Sequence, residues 1–238
     1  MVQMTFDGPL LEKPKTLRIR FQKTGALKYI SHLDLMRTMT RVIARVHLPI
    51  KYTCGFHPIP HLVFSAPLPV GAESPHEFLD VAVLRELDPA SVVPLLNAGL
   101  PAGLAVDAAY FAETKFQAIA SAEYTIKIHT PGASADVAKY CGDVLSEKPI
   151  TVLKHTKSGD KNVDVSPAIL GVTSSFDEEN GDIVLQICLR ADSGSFLNPD
   201  YLLRYLSDQT GLLKGSPLEE WYTVTRTHLF DANGQDFV

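Results

Sequence analysis

Histidines are the side chains of this sequence best suited to acid–base chemistry near neutral pH, and they are concentrated in one region. Five of the eight lie between His32 and His76. His32 follows Ser31, a good helix N-cap, so we expect it at a helix N-terminus, where free backbone N–H groups favour an anion. We therefore name His32 as the candidate catalytic residue, a general acid or base. The alternative is a half-buried histidine whose ring is satisfied by its neighbours.

Basic residues are the second chemical feature, because they could hold phosphates. Residues 13–51 contain ten Lys or Arg and one acid, Asp34, and so carry a charge of +9. The rest of the chain has twelve basic and twenty-six acidic residues, a charge of −14, which gives the net −5 of the 238 residues. The sequence predicts an electropositive surface on an acidic protein, suited to phosphate, RNA or an acidic partner. A solvated basic face without a ligand is the alternative.

The candidate substrate-binding residues come from this segment and from the loop that follows it. Arg37, Arg41 and Arg45 recur every four residues on a predicted helix and form one exposed ridge, the arginine ridge. Aromatic residues interleaved with these cations could stack RNA bases, although no RNP-type motif is present and packing within the protein is the alternative. These aromatic residues are Tyr29, Tyr52 and Phe56. The predicted substrate-binding set is Arg18, Arg20, Lys23, Lys28, Arg37, Arg41, Gly55, Phe56, His57 and His61.

No metal, cofactor or membrane partner is predicted. The sequence has no Walker, dinucleotide-binding, hydrolase-elbow or zinc-protease motif. Cys54, His57 and His61 could supply zinc ligands, but neither their spacing nor their number matches a structural zinc site. The cysteines, which also include Cys141 and Cys188, stand too far apart for an iron–sulfur cluster and indicate reduced thiols in a cytoplasmic protein. No run of about 18 apolar residues occurs that could span a membrane.

The elements that must position these residues follow a β-α-β-β-α-β order in the first half of the chain. Leu17–Gln22 alternates apolar and basic residues, as a half-buried strand does. Apolar residues recur at helical spacing from His32 to Val46, with Ser31 as N-cap. The other predicted elements are strands at His61–Ala66, Phe78–Leu84 and Leu104–Phe111 and a helix at Asp88–Ala98. This order is the split βαβ pattern of a ferredoxin-like sheet.

The same order recurs in the second half, with one additional extended segment. The predicted strands are Tyr124–His129, Ile150–His155, Ile183–Arg190 and Tyr222–Phe230, and the additional segment, Val163–Phe176, is extended but interrupted by Pro167. The predicted helices are Ala135–Ser146 and Pro199–Gln209. We therefore predict an α+β fold of two tandem ferredoxin-like (βαββαβ) modules. The predicted domains are an N-terminal tail, 1–14, a ferredoxin-like domain with a basic surface, 15–119, a second ferredoxin-like domain, 120–230, and a loose C-terminal tail, 231–238.

Residues 23–81 carry a set of short motifs that match a known family. The matching features are Lys23-Thr24-Gly25, Ser31-His32-Leu33-Asp34, Arg37, Arg41, Gly55-Phe56, Pro58, Pro60, Leu68-Pro69-Val70-Gly71 and Glu73-Ser74. The block resembles the radical SAM-linked proteins, a bacterial domain family of unassigned function that occurs alone or fused to a cobalamin-binding radical SAM protein. His57 and Ile59 stand where that family usually has Asn and His. The resemblance implies a radical SAM partner, cobalamin-binding in some members, and a task linked to RNA.

Three functions are consistent with these features. The leading hypothesis is a cytoplasmic accessory protein that presents RNA or another anionic substrate to a radical SAM enzyme through its basic surface, without catalysis of its own. The first alternative is an RNA-cleaving or RNA-modifying enzyme in which His32 is the acid or base. The second alternative is a protein-interaction module whose basic ridge meets an acidic partner.

Overall fold

The structure, a computed structural model, describes residues 6–156, 159–192 and 196–238. The chain divides into two units, Met1–Phe116 with Val238 and Gln117–Phe237. Each unit combines antiparallel strands with two helices, so the predicted mixed α+β class is confirmed. No helix among the described residues is both long and apolar enough to cross a membrane.

The first unit is a four-stranded antiparallel arrangement with two helices. Its elements are β1 (Leu10–Lys23), α1 (His32–Arg45), β2 (Leu62–Phe64), β3 (Ala72–Arg85), α2 (Pro89–Asn97) and β4 (Leu104–Phe111). The strands pair in the order β4-β1-β3-β2. β1 is central because it contributes Leu17, Ile19 and Phe21, all fully buried, to one face of the pleat.

Helix α1 packs on this core through one apolar stripe. Leu35, Met39, Val42 and Ile43 are buried and recur at the spacing of one helical face. The Ser31 side chain accepts a hydrogen bond from the backbone N–H of Asp34, as the sequence predicts for the N-cap. The arginine ridge lies on the exposed side of the helix. Helix α1 therefore holds its N-terminal turn in a fixed position against β1 and β3.

The second unit repeats the strand pairing of the first and adds a separate hairpin. Its elements are β5 (Ile119–His129), α3 (Ala135–Ser146), β6 (Thr151–Thr156), β7 (Gly159–Asp164), β8 (Ile169–Asp177), β9 (Asp182–Arg190), α4 (Asp200–Thr210) and β10 (Trp221–Asp231). Four strands pair antiparallel in the order β10-β5-β9-β8, and β6 pairs with β7. Gly211 ends α4 in the left-handed conformation at φ 79°, which confirms the predicted C-cap.

Two predicted boundaries are wrong, and one predicted interruption is confirmed. Strand β1 begins at Leu10, inside the segment 1–14 predicted to be a tail. The extended segment from Val163 to Phe176 is interrupted at Pro167 as predicted: a 3-10 turn covers Ser166–Ala168, where Pro167 has no N–H to donate to a neighbouring strand. The C-terminal tail 231–238 is not loose in the region of Phe237, whose N–H bonds to the carbonyl of Leu229 and whose ring is buried.

Candidate binding site at the N-terminus of helix α1

A small pocket lies beside the first turn of α1. We call it the α1 pocket, and it is lined by Lys23, His32, Leu35, Phe64, Ser65, Ala66, Pro67, Leu68 and Glu77. Its space of about 10 Å³ accommodates one water-sized group. Strands β1 and β3, helix α1 and the end of β2 each contribute at least one of these residues. Two of the predicted site residues, Lys23 and His32, are therefore brought to one place by the fold.

The polar side chains of the α1 pocket differ in exposure. His32 is exposed, and its ring meets that of Phe64 edge-on, with centroids 5.1 Å apart. Lys23 and Glu77 are buried, and Lys23 Nζ donates a hydrogen bond to the carbonyl of Lys28 at 3.2 Å. A buried charge is costly unless it is paired, and these two side chains of opposite sign line the same small space. The pocket is therefore close to electrically balanced.

Ser65 supplies the unsatisfied polar atom of the pocket. Its side chain is 6% exposed, and its Oγ has no hydrogen-bond partner within the described part of the chain. The Ser65 backbone is fixed, because its N–H donates to the carbonyl of Phe78 at 3.0 Å. A buried hydroxyl without a partner costs about 1–3 kcal/mol. A ligand or water that hydrogen-bonds to Oγ would remove this cost.

Arg18 does not belong to the basic surface on which the sequence analysis placed it. Its side chain is fully buried, and it binds Asp80 in a bidentate ion pair with both N···O distances at 2.8 Å. It also donates to the hydroxyl and carbonyl oxygens of Thr114 and lies over the ring of Phe116 at 4.5 Å. A guanidinium enclosed in this way has no face left for a phosphate, so Arg18 is a structural residue.

Several of the other predicted cations are neutralised by nearby acids. Arg20 binds Asp107, with a nearest N···O distance of 2.6 Å, and this hydrogen bond raises the pKa of Arg20 above its ordinary value. Lys28 Nζ lies 3.3 Å from the carboxylate of Glu73. This carboxylate reduces the positive potential that Lys28 presents to the solvent. Charge that is already balanced in this way attracts a polyanion less strongly.

The arginine ridge retains accessible positive charge. Arg37 pairs with Asp34 at 3.3 Å, but both side chains are more than half exposed. The Ser31 hydroxyl and then Arg37 hold the pKa of Asp34 below its ordinary value. Arg41 and Arg45 are exposed and make no ion pair within the described residues. Of the predicted substrate-binding cations, an external anion can reach Arg37 and Arg41 but not the buried Arg18 and Lys23.

The loop from Gly55 to His61, the 55–61 loop, projects from the first unit. It is closed at its base by the Thr53 N–H, which donates to the carbonyl of Ile59 at 2.9 Å. Gly55 has φ +136°, a conformation that favours glycine and turns the chain at this point. Phe56 is fully exposed, and His57 and His61 are exposed as well. The loop does not line the α1 pocket, so the sequence-predicted residues form a pocket and a separate aromatic loop.

Ser65 and Glu77 are polar residues of the pocket that are not among the residues predicted from the sequence to form the site. Glu77 directly precedes a run of buried residues in β3, and a charged residue at such a place is a usable signal of a buried polar site. Glu77 lies opposite the buried Phe21 in the pairing of β3 with β1, so it stands within the sheet and next to the core. Nothing in the local sequence distinguishes Ser65 from an ordinary loop serine.

A larger cleft in the second unit is less suited to a ligand although its volume is about 380 Å³. Its polar groups are already engaged with the protein. Arg190 Nε donates to the carbonyl of Pro167 at 3.1 Å, and Lys154 Nζ lies 5.4 Å from the ring centroid of Tyr201. Asp164 accepts hydrogen bonds from the N–H and hydroxyl of Ser166, which lower the pKa of its carboxyl group. Of these two cavities, the α1 pocket is the better candidate site because it contains the unsatisfied Oγ of Ser65.

No cluster of three or more His, Cys, Asp or Glu side chains with metal-binding geometry occurs among the residues that the structure describes. Cys54 is a free, exposed thiol, whereas Cys141 is buried. Burial raises the pKa of Cys141 to about 11. Cys188 lies at an intermediate depth, and burial also raises the pKa of its thiol.

These observations define a mixed α+β protein with a small polar pocket at a helix N-terminus. The chain belongs to the bacterial family of uncharacterised conserved proteins DUF2344, whose model matches residues 16–199. No curated protein matches the chain.

Two solved structures resemble the chain weakly. One is a Cbf5-Nop10-Gar1 complex, at 12% identity and a TM-score of 0.45, covering 90% of this chain and 48% of that chain. The other is an H/ACA RNP bound to a substrate RNA, at 10% identity and a TM-score of 0.43, covering 94% of this chain and 54% of that chain. This chain thus spans about half the length of each. Both TM-scores are below 0.5, and neither likeness assigns a function to this chain.

Proposed function

We propose that this protein is an accessory protein that binds single-stranded RNA through the first unit and presents it to a radical SAM enzyme. The observation that carries the RNA part is the combination of the exposed arginine ridge with the fully exposed Phe56. Proteins that bind single strands combine cations for the phosphates with aromatic rings on which bases stack. The radical SAM partner is supported by the resemblance in residues 23–81, and a cobalamin-binding protein is one form of that partner.

In this proposal each part of the surface has a separate role. Arg37 and Arg41 attract phosphates, while Phe56 stacks on a base. Lys28 stays with Glu73. His57 and His61 flank that base in the 55–61 loop, whose turn is set by Gly55. Arg20 stays with Asp107 and contributes little. Lys23 acts inside the α1 pocket rather than on a phosphate.

We further propose that each unit is a ferredoxin-like module, residues 15–119 and 120–230, with the hairpin β6-β7 inserted in the second. The support is the strand order: β4-β1-β3-β2 and β10-β5-β9-β8 both place the third sheet strand between the first and the second. This is the pairing that a split βαβ topology requires. The free thiols are in keeping with a reducing, cytoplasmic location.

A second candidate function is an RNA-modifying or RNA-cleaving enzyme with His32 as the acid or base. It is favoured by the presence of His32, Lys23 and Glu77 around one small space, because proton transfer needs such groups close together. Folding of His32→Ala with loss of a measured activity on RNA would establish this function. Retention of that activity would assign His32 to binding instead.

The experiment for the leading proposal is a fluorescence-anisotropy titration of a labelled single-stranded RNA. We expect the double variant Arg37→Glu, Arg41→Glu to bind at least about tenfold more weakly, and its salt dependence to fall by about 1.4 in log–log slope for two lost phosphate contacts. The matched control is Lys139→Glu with Arg204→Glu, which makes the same charge change on exposed helix positions of the second unit. Equal loss in both double variants would contradict a local RNA surface.

The same proteins distinguish a protein-interaction module from an RNA-binding protein. Partners are captured from the native cell with and without nuclease, and RNA and proteins are both identified. If a radical SAM protein is captured and is lost after nuclease treatment, the two proteins are held together by RNA, as the leading proposal expects. Capture of an acidic protein at unchanged yield, with no RNA bound, would replace the proposal by the interaction module.

A further inference from the structure

The α1 pocket has the size and polarity to receive a single hydroxyl group. We propose that it recognises a ribose 2′-hydroxyl of the bound strand and so lets the protein distinguish RNA from DNA. This inference rests on the proposed RNA binding and names the group that the pocket reads. Two observations limit the occupant: the space of about 10 Å³ and the unpartnered Oγ of Ser65.

The size of the pocket excludes larger ligand groups. About 10 Å³ holds one oxygen atom with its hydrogen, whereas a phosphate or a base needs several times that space. The Lys23 ammonium and the Glu77 carboxylate both line this space, so it offers a phosphate no net positive charge. The occupant is therefore small and uncharged.

The polar atoms of the pocket suit a group that both donates and accepts. The Ser65 hydroxyl can do either, the Glu77 carboxylate accepts, and the Lys23 ammonium donates. A hydroxyl can satisfy such a mixed set, since it carries one donor and two lone pairs. The 2′-hydroxyl is the group by which a protein separates RNA from DNA at a given site.

The placement of the pocket connects it with the proposed RNA surface. His32 lines the pocket, is exposed, and begins the helix that carries the arginine ridge. Phe64 and Ser65 follow the 55–61 loop closely in the chain, so the pocket and the aromatic loop belong to the same connection between α1 and β3. A strand held by its phosphates along α1 can thus present one sugar to the helix N-terminus.

The test compares single-stranded RNA and DNA of the same sequence by anisotropy, for the wild-type protein, Ser65→Ala and a control. The control is Ser121→Ala, which removes a buried hydroxyl in the second unit that already bonds within the protein to Cys188. We expect the wild type and the control to prefer RNA about 5- to 10-fold, the effect of one net hydrogen bond. We expect Ser65→Ala to reduce that ratio towards one through weaker RNA binding, with DNA binding unchanged.

A series of RNAs with a single 2′-deoxy substitution at each position gives the second measurement. One position should account for most of the preference, and the Ser65→Ala variant should lose that position's effect. An unchanged RNA-to-DNA ratio in folded Ser65→Ala would overturn the assignment and leave a structural water as the occupant. If the wild type binds RNA and DNA equally well, the 2′-hydroxyl assignment is wrong but the proposed RNA binding is retained. If the wild type binds neither strand, the proposed function is wrong as well.

Discussion

Removal of the Asp80 carboxylate should strongly destabilise the first unit. Arg18 is fully buried and Asp80 is 13% exposed, so Asp80→Ala removes the bidentate carboxylate partner of a guanidinium inside the protein and leaves its bonds to Thr114 and Val238. Breaking a buried ion pair by removing one partner costs about 3–5 kcal/mol. Because domains are stable by roughly 5–15 kcal/mol, this loss is a large fraction of the total.

The measurement is urea denaturation followed by circular dichroism, combined with amide hydrogen exchange in β1. Trp221 is the one tryptophan and lies in the second unit, so its fluorescence does not report on the first. A loss of about 4 kcal/mol corresponds to a fall of about 1.5 M in the urea midpoint for a slope of about 2.5 kcal/mol/M.

The exposed pair Arg20–Asp107 provides the control for this prediction. Its side chains are 33% and 43% exposed, although its N···O distance of 2.6 Å is shorter than that of the buried pair. Asp107→Ala should therefore cost no more than about 1 kcal/mol. If Asp80→Ala lowered the free energy of unfolding no more than Asp107→Ala does, burial would not decide the strength of these pairs.

The remaining predictions concern single side chains. Ser65→Ala should raise the free energy of unfolding by about 1 kcal/mol, because it removes an unsatisfied hydroxyl; a lower melting temperature would show that Oγ is bonded in solution. Titration with a disulfide reagent at pH 8 should find Cys54 fast and Cys141 slow, since Cys141 is buried with a pKa of about 11; equal rates would contradict the buried position. Ser31→Ala should raise the pKa of Asp34, followed by NMR, because the Ser31 hydroxyl is the main cause of its depression. Since that pKa is lowered by folding, its contribution to stability is present above the unfolded pKa and is lost as the pH falls through the folded value, and Ser31→Ala should weaken this acid dependence.

Features with a local cause could be predicted from the sequence. Helix α1 was predicted from His32 to Val46 and runs from His32 to Arg45, with Ser31 as its cap, because an N-cap and a repeating apolar stripe are visible within one stretch of chain. The strand predicted at His61–Ala66 shortens to β2, Leu62–Phe64, for which the two prolines that follow give a reason.

Features that depend on distant residues could not be predicted. Arg18 alternates with apolar residues in β1 and therefore reads as an outward-facing cation, yet Asp80, 62 residues later, holds it in the interior. The burial of Lys23 and the opening of the α1 pocket likewise depend on where β3 and the end of β2 pack. Charge counts along the chain identified a basic segment, but they did not show which cations are balanced by acids elsewhere in the fold.

In the proposed complex, RNA contacts both α1 and the 55–61 loop of the first unit. Ultraviolet cross-linking of a bound single-stranded RNA, followed by mass spectrometry of the peptides, tests it most directly. Cross-links are expected at Phe56 and in the peptide that contains His32, and they should be lost in the Arg37→Glu, Arg41→Glu variant. Cross-links confined to the second unit, or unchanged in that variant, would contradict it.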